Sequence, residues 1–278
     1  MARTENKTEA GGTAHLVAAL ARALREQQQI SQEQLGKKIG YTASAVSAME
    51  TCAQPASDQM LVKLEEVLGG GLGVFEKART LIRLDKYPAQ FKNYVPLEQE
   101  ALTLSTYVTF VVHGLFQTED YARALIGGGY PPEKDERVEE LVEGRLARRA
   151  LFDRDPTALI ELIIEESALR RTIGNHEVMR GQLLHLAECA KRRNVTLQVL
   201  PMECGADGEH FGATGDMTLL ETPEHEHVVY LEPQNESILV RDLTKVTTYS
   251  QRYAKIRSQA LGPRESLGLV ERLAGDLQ

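Results

Sequence analysis

Residues 31–51, SQEQLGKKIGYTASAVSAMET, carry the pattern that decides the fold of the N-terminal part of this chain. Two short helices that cross steeply need a few apolar anchors, one close contact and a turn with an unusual backbone. Leu35, Ile39, Val46 and Met49 supply the anchors. Gly36 is small where the helices approach, and Gly40 stands where the turn requires a positive φ. Ser31 is placed to cap the first helix with Gln34 as its capping-box partner. Thr42 is placed to cap the second. The spacing predicts a helix-turn-helix.

The flanks extend the pattern. In residues 14–28, Leu16, Val17, Leu20 and Leu24 share one face at helical spacing. Residues 57–68 open on a capping Ser57 and present Met60, Leu61, Leu64 and Leu68 together, before GGG at 69–71 breaks the chain. Residues 1–12 are polar and read as a disordered arm. With these flanks the stretch resembles the xenobiotic-response-element (XRE) type of regulator, whose compact helical domain also occurs in phage repressors. The resemblance implies an all-α domain of four to five helices over residues 13–70 that binds double-stranded DNA. In this class the second helix of the motif enters the major groove and its first turn meets the base edges. The expected base contacts are Ala43, Ser44 and Ser47, with Tyr41 and Thr42 at the approach; the alternative for both serines is a solvated helix face. Gln32 is placed to bond a phosphate at the start of the preceding helix.

Charge sets a limit on this domain. Residues 1–68 hold seven Lys or Arg and eight Asp or Glu, a net of −1, and the recognition helix has no basic residue. Lys37 and Lys38, with Arg22 and Arg25, are the available phosphate partners. Neutralising phosphates supplies most nonspecific affinity, so one copy is expected to bind weakly, and a homodimer or partner would contribute the rest.

The 278 residues leave room for a second domain with its own core. The whole chain carries −8, so residues beyond 68 contribute −7, a poor nucleic-acid surface. No apolar run approaches the ~20 residues of a membrane span, and no signal peptide is expected ahead of the first helix. Cys52, Cys189 and Cys204 show no pairing pattern. A cytoplasmic protein is expected, associated with the nucleoid when bound to DNA.

A helix and an aromatic-dotted connector are expected over 71–100, with the second domain at 101–278. There, strands are expected at 106–112, 158–165, 195–202, 217–221, 227–232 and 237–241. Helices are expected from Thr118, at 134–152, at 176–193 and in two C-terminal segments. The last three strands are closely spaced, as in a meander. The mixture predicts an α+β domain with a mostly antiparallel sheet. The strings HGLFQTEDYARAL, EGRLARRALF, IIEESALRR, VTLQVLPMECG and VYLEP resemble the regulatory domain of WhiJ-like and antitoxin-like regulators of filamentous actinobacteria. The typical pattern has Pro where this chain has His113. The resemblance implies a cytoplasmic transcription regulator linked to development, often encoded beside a small protein that it binds.

No catalytic set emerges. Glu165 and Glu166 adjoin on a strand and therefore face opposite ways. His225 and His227 share a face but lack a third ligand at metal-site spacing. The glycine-rich 205–215 segment lacks the lysine of a phosphate loop. No enzyme activity, cofactor or metal is expected. Arg145, Arg148 and Arg149 cluster beside Glu139, Glu140 and Glu143, and two readings stand: ion pairs on a solvated face, or a site for an anion or acidic partner. The expected protein is a DNA-binding transcription regulator whose C-terminal domain dimerises and senses a partner protein or ligand. The alternatives are an antitoxin-like binder of a small cognate protein, with weak or autoregulatory DNA binding, and an enzyme tethered to DNA.

Overall fold

The computed structural model describes residues 12–84, 87 and 91–277, and the chain divides before Tyr87 into two compact units. Residues 1–11, where the polar arm was expected, lie outside the described residues.

The first unit contains helices α1 (Gly12–Gln27), α2 (Gln32–Ile39), α3 (Ala43–Glu50), α4 (Asp58–Leu68) and α5 (Val74–Leu84). Local chemistry sets the ends of the central pair. Ser31 Oγ accepts from the Gln34 amide while the Gln34 side chain accepts from the Ser31 amide, closing the capping box. Thr42 Oγ1 accepts from the Ala45 amide at 3.2 Å. Gly40 has φ +78°, and a Cβ on Gly36 would stand 2.6 Å from the Tyr41 carbonyl oxygen. Leu35, Ile39, Val46 and Met49 are buried together with Met60, Leu61, Leu64 and Leu68.

Two expectations need correction. Of the face expected for α1, Val17, Leu20 and Leu24 pack on the core, but Leu16 is 66% exposed, and Ala18 and Ala21 are buried in addition. Small alanines, which weigh little in a hydrophobic pattern, let this helix lie close to its neighbours. The helix expected after the GGG break, ahead of the connector and outside the 13–70 domain, packs with this unit as its fifth: Phe75 and Ala78 enter its core. Glu65 accepts from the amides of Gly73 and Phe75 (2.9 and 2.7 Å), so α4 supplies the cap of α5.

The second unit contains α6 (Val95–Glu100), β1 (Thr103–Val108), α7 (Glu119–Gly127), α8 (Asp135–Ala147), β2 (Leu159–Glu165) and α9 (Glu166–Arg170). It continues with α10 (His176–Cys189), β3 (Val195–Leu200), β4 (Met217–Glu221), β5 (His227–Leu231), β6 (Ile238–Val240), α11 (Leu243–Gln259) and α12 (Pro263–Asp276). The sheet order is β3-β2-β1-β4-β5-β6. The mostly antiparallel expectation is corrected here, because β1, β2 and β3 run parallel and only β1-β4-β5-β6 pair antiparallel. Helices fill the connections from β1 to β2 and from β2 to β3, and a helical crossover returns the chain to run parallel. The short connections after β4 and β5 can only reverse it.

Period-two burial builds the layers. Leu104, Ile160, Leu162, Leu197, Leu220 and Val228 belong to the main core, to which α10 adds Leu183 and Leu186 and α12 adds Val270 and Leu273. Tyr107, Ile163, Leu200 and Met217 point to the opposite face, against Tyr253 and Ile256 of α11.

Gly36→Val should destabilise the first unit by about 1–3 kcal/mol through backbone overpacking. Thermal unfolding should show the transition of this unit lowered and that of the second unit unchanged.

Candidate nucleic-acid interface and the cavity of the second unit

Helix α3, the second of the motif, is held by a charge cluster beneath it. Arg25 donates from Nε and Nη2 to the two carboxylate oxygens of Glu50 (2.6 and 3.0 Å) and from Nη1 to the Ile30 carbonyl (3.0 Å). Gln32 Nε2 donates to the same carboxylate at 2.9 Å. Burial pushes the Glu50 carboxyl up, but the hydrogen bonds from Arg25 and Gln32 hold it below the ordinary carboxylate range. Helices α1, α2 and α3 therefore meet at one ion pair. Arg25 leaves the set of phosphate partners, and the Gln32 carboxamide, expected at a phosphate, is engaged with Glu50. The signal was present in the spacing: Glu50 continues the buried stripe of Val46 and Met49, where a lone carboxylate demands a partner.

The remaining residues lie at the surface of the same unit. Thr42 and Ser44 are exposed, their hydroxyls 2.9 Å apart, and Ala43 and Ser47 are half-buried. The Tyr41 hydroxyl meets Ser57 Oγ at 3.3 Å. Lys37 and Lys38 are exposed, Lys37 in an ion pair with Glu33 and Arg22 in one with Glu26. Such exposed pairs stabilise little, so both cations remain available to an incoming phosphate.

The arginine cluster of the second unit separates into different roles. Arg148 is buried and donates to Glu98 through Nε and Nη2, both at 2.6 Å, while the Tyr94 hydroxyl donates to the same carboxylate at 3.0 Å. Burial raises the Glu98 carboxyl, but the adjacent Arg148 charge and its hydrogen bonds bring it below the ordinary value. Arg145 donates to Gln117 Oε1 at 2.9 Å, and Arg149 donates to the Gln117 carbonyl. Arg145 and Arg148 therefore do not lie on a solvated face.

Arg145 and Arg148 line a cavity of about 390 Å³ within the second unit. It lies where the parallel half of the sheet gives way to the antiparallel half, beside the C-terminal end of β1. Strand register places Thr106, Thr218 and Tyr230 side by side there. The two threonine hydroxyls are hydrogen-bonded at 3.2 Å. Tyr230 stacks on Tyr94 with ring centroids 3.9 Å apart. His113, kept neutral at pH 7 by burial and by Arg148, titrates at about 4. Glu232 is pushed up to about 7, chiefly by burial, against the opposing pull of Arg148 and Arg145. Sequence reading missed this cavity.

Other candidates do not assemble. Glu165 accepts from the Tyr107 hydroxyl, whereas Glu166 meets Arg170 and the Met202 amide. His225 bonds Glu221 at 2.6 Å. Among the described residues no group of three or more His, Cys, Asp or Glu could hold a metal ion, and no helix is long and apolar enough to cross a membrane.

Comparison with known families agrees with this division. Residues 22–75 match the family described as Helix-turn-helix, and residues 91–272 match the Domain of unknown function (DUF5753). The chain belongs to the DUF5753 family and carries an XRE-type helix-turn-helix, the DNA-binding domain of transcription regulators. No curated protein and no solved structure matches the chain.

Arg148→Met leaves Glu98 charged and unpaired and should cost about 3–5 kcal/mol at neutral pH. Because the folded pKa of Glu98 is depressed, its contribution is complete above the ordinary glutamate value and is lost as pH falls through the folded one. The difference in melting temperature between wild type and variant should therefore be largest at neutral pH and shrink in acid.

Proposed function

We propose that this chain is a sequence-specific DNA-binding transcription regulator that acts as a homodimer, with its second unit sensing a partner protein or a ligand. The observation that carries the reading is the geometry of α3: a Thr42-capped first turn presenting Ser44 and Ser47, braced from below by the Arg25–Glu50 pair. Ala43, Ser44 and Ser47 meet base edges, Tyr41 and Thr42 flank them, and Lys37 and Lys38 contact phosphates. Gln32 contributes through its position at the N-terminus of α2, since its carboxamide braces Glu50. With no basic residue on α3, a second copy supplies further affinity across half-sites about one helical turn apart. Bound to DNA in the cytoplasm, the protein is part of the nucleoid, and the resemblance to WhiJ-like regulators supports a developmental role and a small cognate partner.

The same scarcity of charge favours a second reading, an antitoxin-like protein whose main ligand is that partner and whose DNA binding is weak or autoregulatory. Selection of duplexes from a random pool by the full chain, with and without the neighbouring small protein, separates the two. Under the first reading a defined site emerges from the protein alone. Ser44→Ala and Ser47→Ala should then alter site preference by about 1–3 kcal/mol per contacted base pair. Lys37→Ala and Lys38→Ala should weaken all sites alike. An unchanged site profile in the serine variants would return both residues to the solvated face.

A further inference from the structure

We propose that the cavity of the second unit binds a small aromatic or apolar monocarboxylate, whose carboxylate pairs with Arg145 and whose body lies against the stacked Tyr94 and Tyr230. The proposal deepens the sensing role above and rests on it for its regulatory meaning, although binding itself is read without DNA.

Two arginines on neighbouring turns of the same wall differ in one respect. Arg148 has its carboxylate, Glu98, in a two-point contact. Arg145 has none: among the described residues it makes one hydrogen bond, to Gln117, and no ion pair. Burial and the repulsion of Arg148 lower its pKa to about 10, and Glu232 opposes that fall only from a distance. A guanidinium offers five N–H donors in a planar fork. Arg145 is half-buried and lines the cavity, and none of its nitrogens is among the buried side-chain atoms without a partner, so the unused part of the fork is open to an acceptor within the cavity. Gln117 is itself fixed, because its Nε2 donates to the Val112 carbonyl, so it holds the fork toward the cavity without neutralising it.

The rest of the lining defines the body of the ligand. Tyr94 and Tyr230 form an aromatic wall, and Val108, Val112, Leu125 and Ile126 are apolar. The His113 Nδ1 atom is buried without a hydrogen-bond partner, and the threonine pair offers further polar contacts. A volume of about 390 Å³ falls in the range of small-molecule sites. Its position, outside the C-terminal end of a parallel strand where the sheet changes direction, is where open sheets place their ligands.

Charge selects a monoanion. Arg148 is already neutralised by Glu98, Arg145 makes no ion pair, and Asp216 and Glu232, whose carboxyls burial pushes up, also line the cavity and oppose any further negative charge. A phosphate dianion would meet those two carboxylates with one arginine to offset them. A planar carboxylate matches the guanidinium fork in two parallel hydrogen bonds.

Thermal unfolding of the full chain tests this with phenylacetate, its neutral analogue 2-phenylethanol and phenyl phosphate, alongside benzoate and 3-phenylpropionate to vary length. At a hundredfold excess over Kd, at least one monocarboxylate should raise the melting temperature of the second unit by about 5–10 °C. The alcohol and the phosphate ester should not. Arg145→Met should weaken binding about tenfold to a hundredfold. Its effect on the unliganded protein should be small, since the lost hydrogen bond to Gln117 is offset by removal of a cation that makes no ion pair. An equal response to the alcohol, no response to any monocarboxylate, or an undiminished response in Arg145→Met would overturn the proposal. If the variant does not fold, the wild-type comparison of acid with alcohol still decides. Site selection on DNA without ligand tests the regulator reading separately.

Discussion

A charge taken out of water must find its counter-charge, and that constraint organises both units of this protein. In the first, Glu50 at the end of the recognition helix binds Arg25 of α1 and Gln32 of α2, so the orientation of α3 is set by one ion pair. In the second, Glu98 and Arg148 join α6 to the segment after α8 in a dry two-point contact. Replacing such a pair by well-packed apolar residues is often neutral, whereas removing one partner is strongly destabilising. The value of these pairs is therefore geometric. They fix where the neighbouring surface points.

The same rule gives meaning to its exception. Arg145 stands beside Arg148 on the wall of the cavity and lacks a carboxylate among the described residues. The two units thus contrast in their use of charge. In the first unit α3 carries no basic residue, and Arg25 beneath it is engaged by Glu50. The second unit is acidic overall yet holds one unmatched cation inside.

What could be read from the residues depended on how local the physics was. The caps at Ser31 and Thr42, the positive φ at Gly40 and the close approach at Gly36 each involve neighbours within a few positions, and all four were legible. On α1 the expected Val17, Leu20 and Leu24 do pack on the core, but Leu16 does not and the buried Ala18 and Ala21 were overlooked, because a leucine outweighs an alanine in any hydrophobic pattern. The positions of the strands were largely legible from alternation, with β1 starting earlier than expected at Thr103. Their order was not, because pairing direction depends on where each connection returns. The cavity was least legible of all. Thr106, Thr218 and Tyr230 become neighbours only through register across three strands, and Glu98 reaches Arg148 across 50 positions of sequence. The arginine cluster was visible, but its division into a paired and an unpaired member was not.

The central claim is that α3 reads DNA on a unit that neutralises few phosphates. The salt dependence of binding to a selected duplex measures this directly, because the slope of log affinity against log salt is about −0.9 per phosphate neutralised. With Lys37, Lys38 and Arg22 as the phosphate contacts, the slope should be about −3 per helix-turn-helix unit, or about −5 for a dimer. Lys37→Ala and Lys38→Ala should each make it shallower by about one. A slope near −10, or one unchanged by both substitutions, would show that a different surface of the protein holds the DNA.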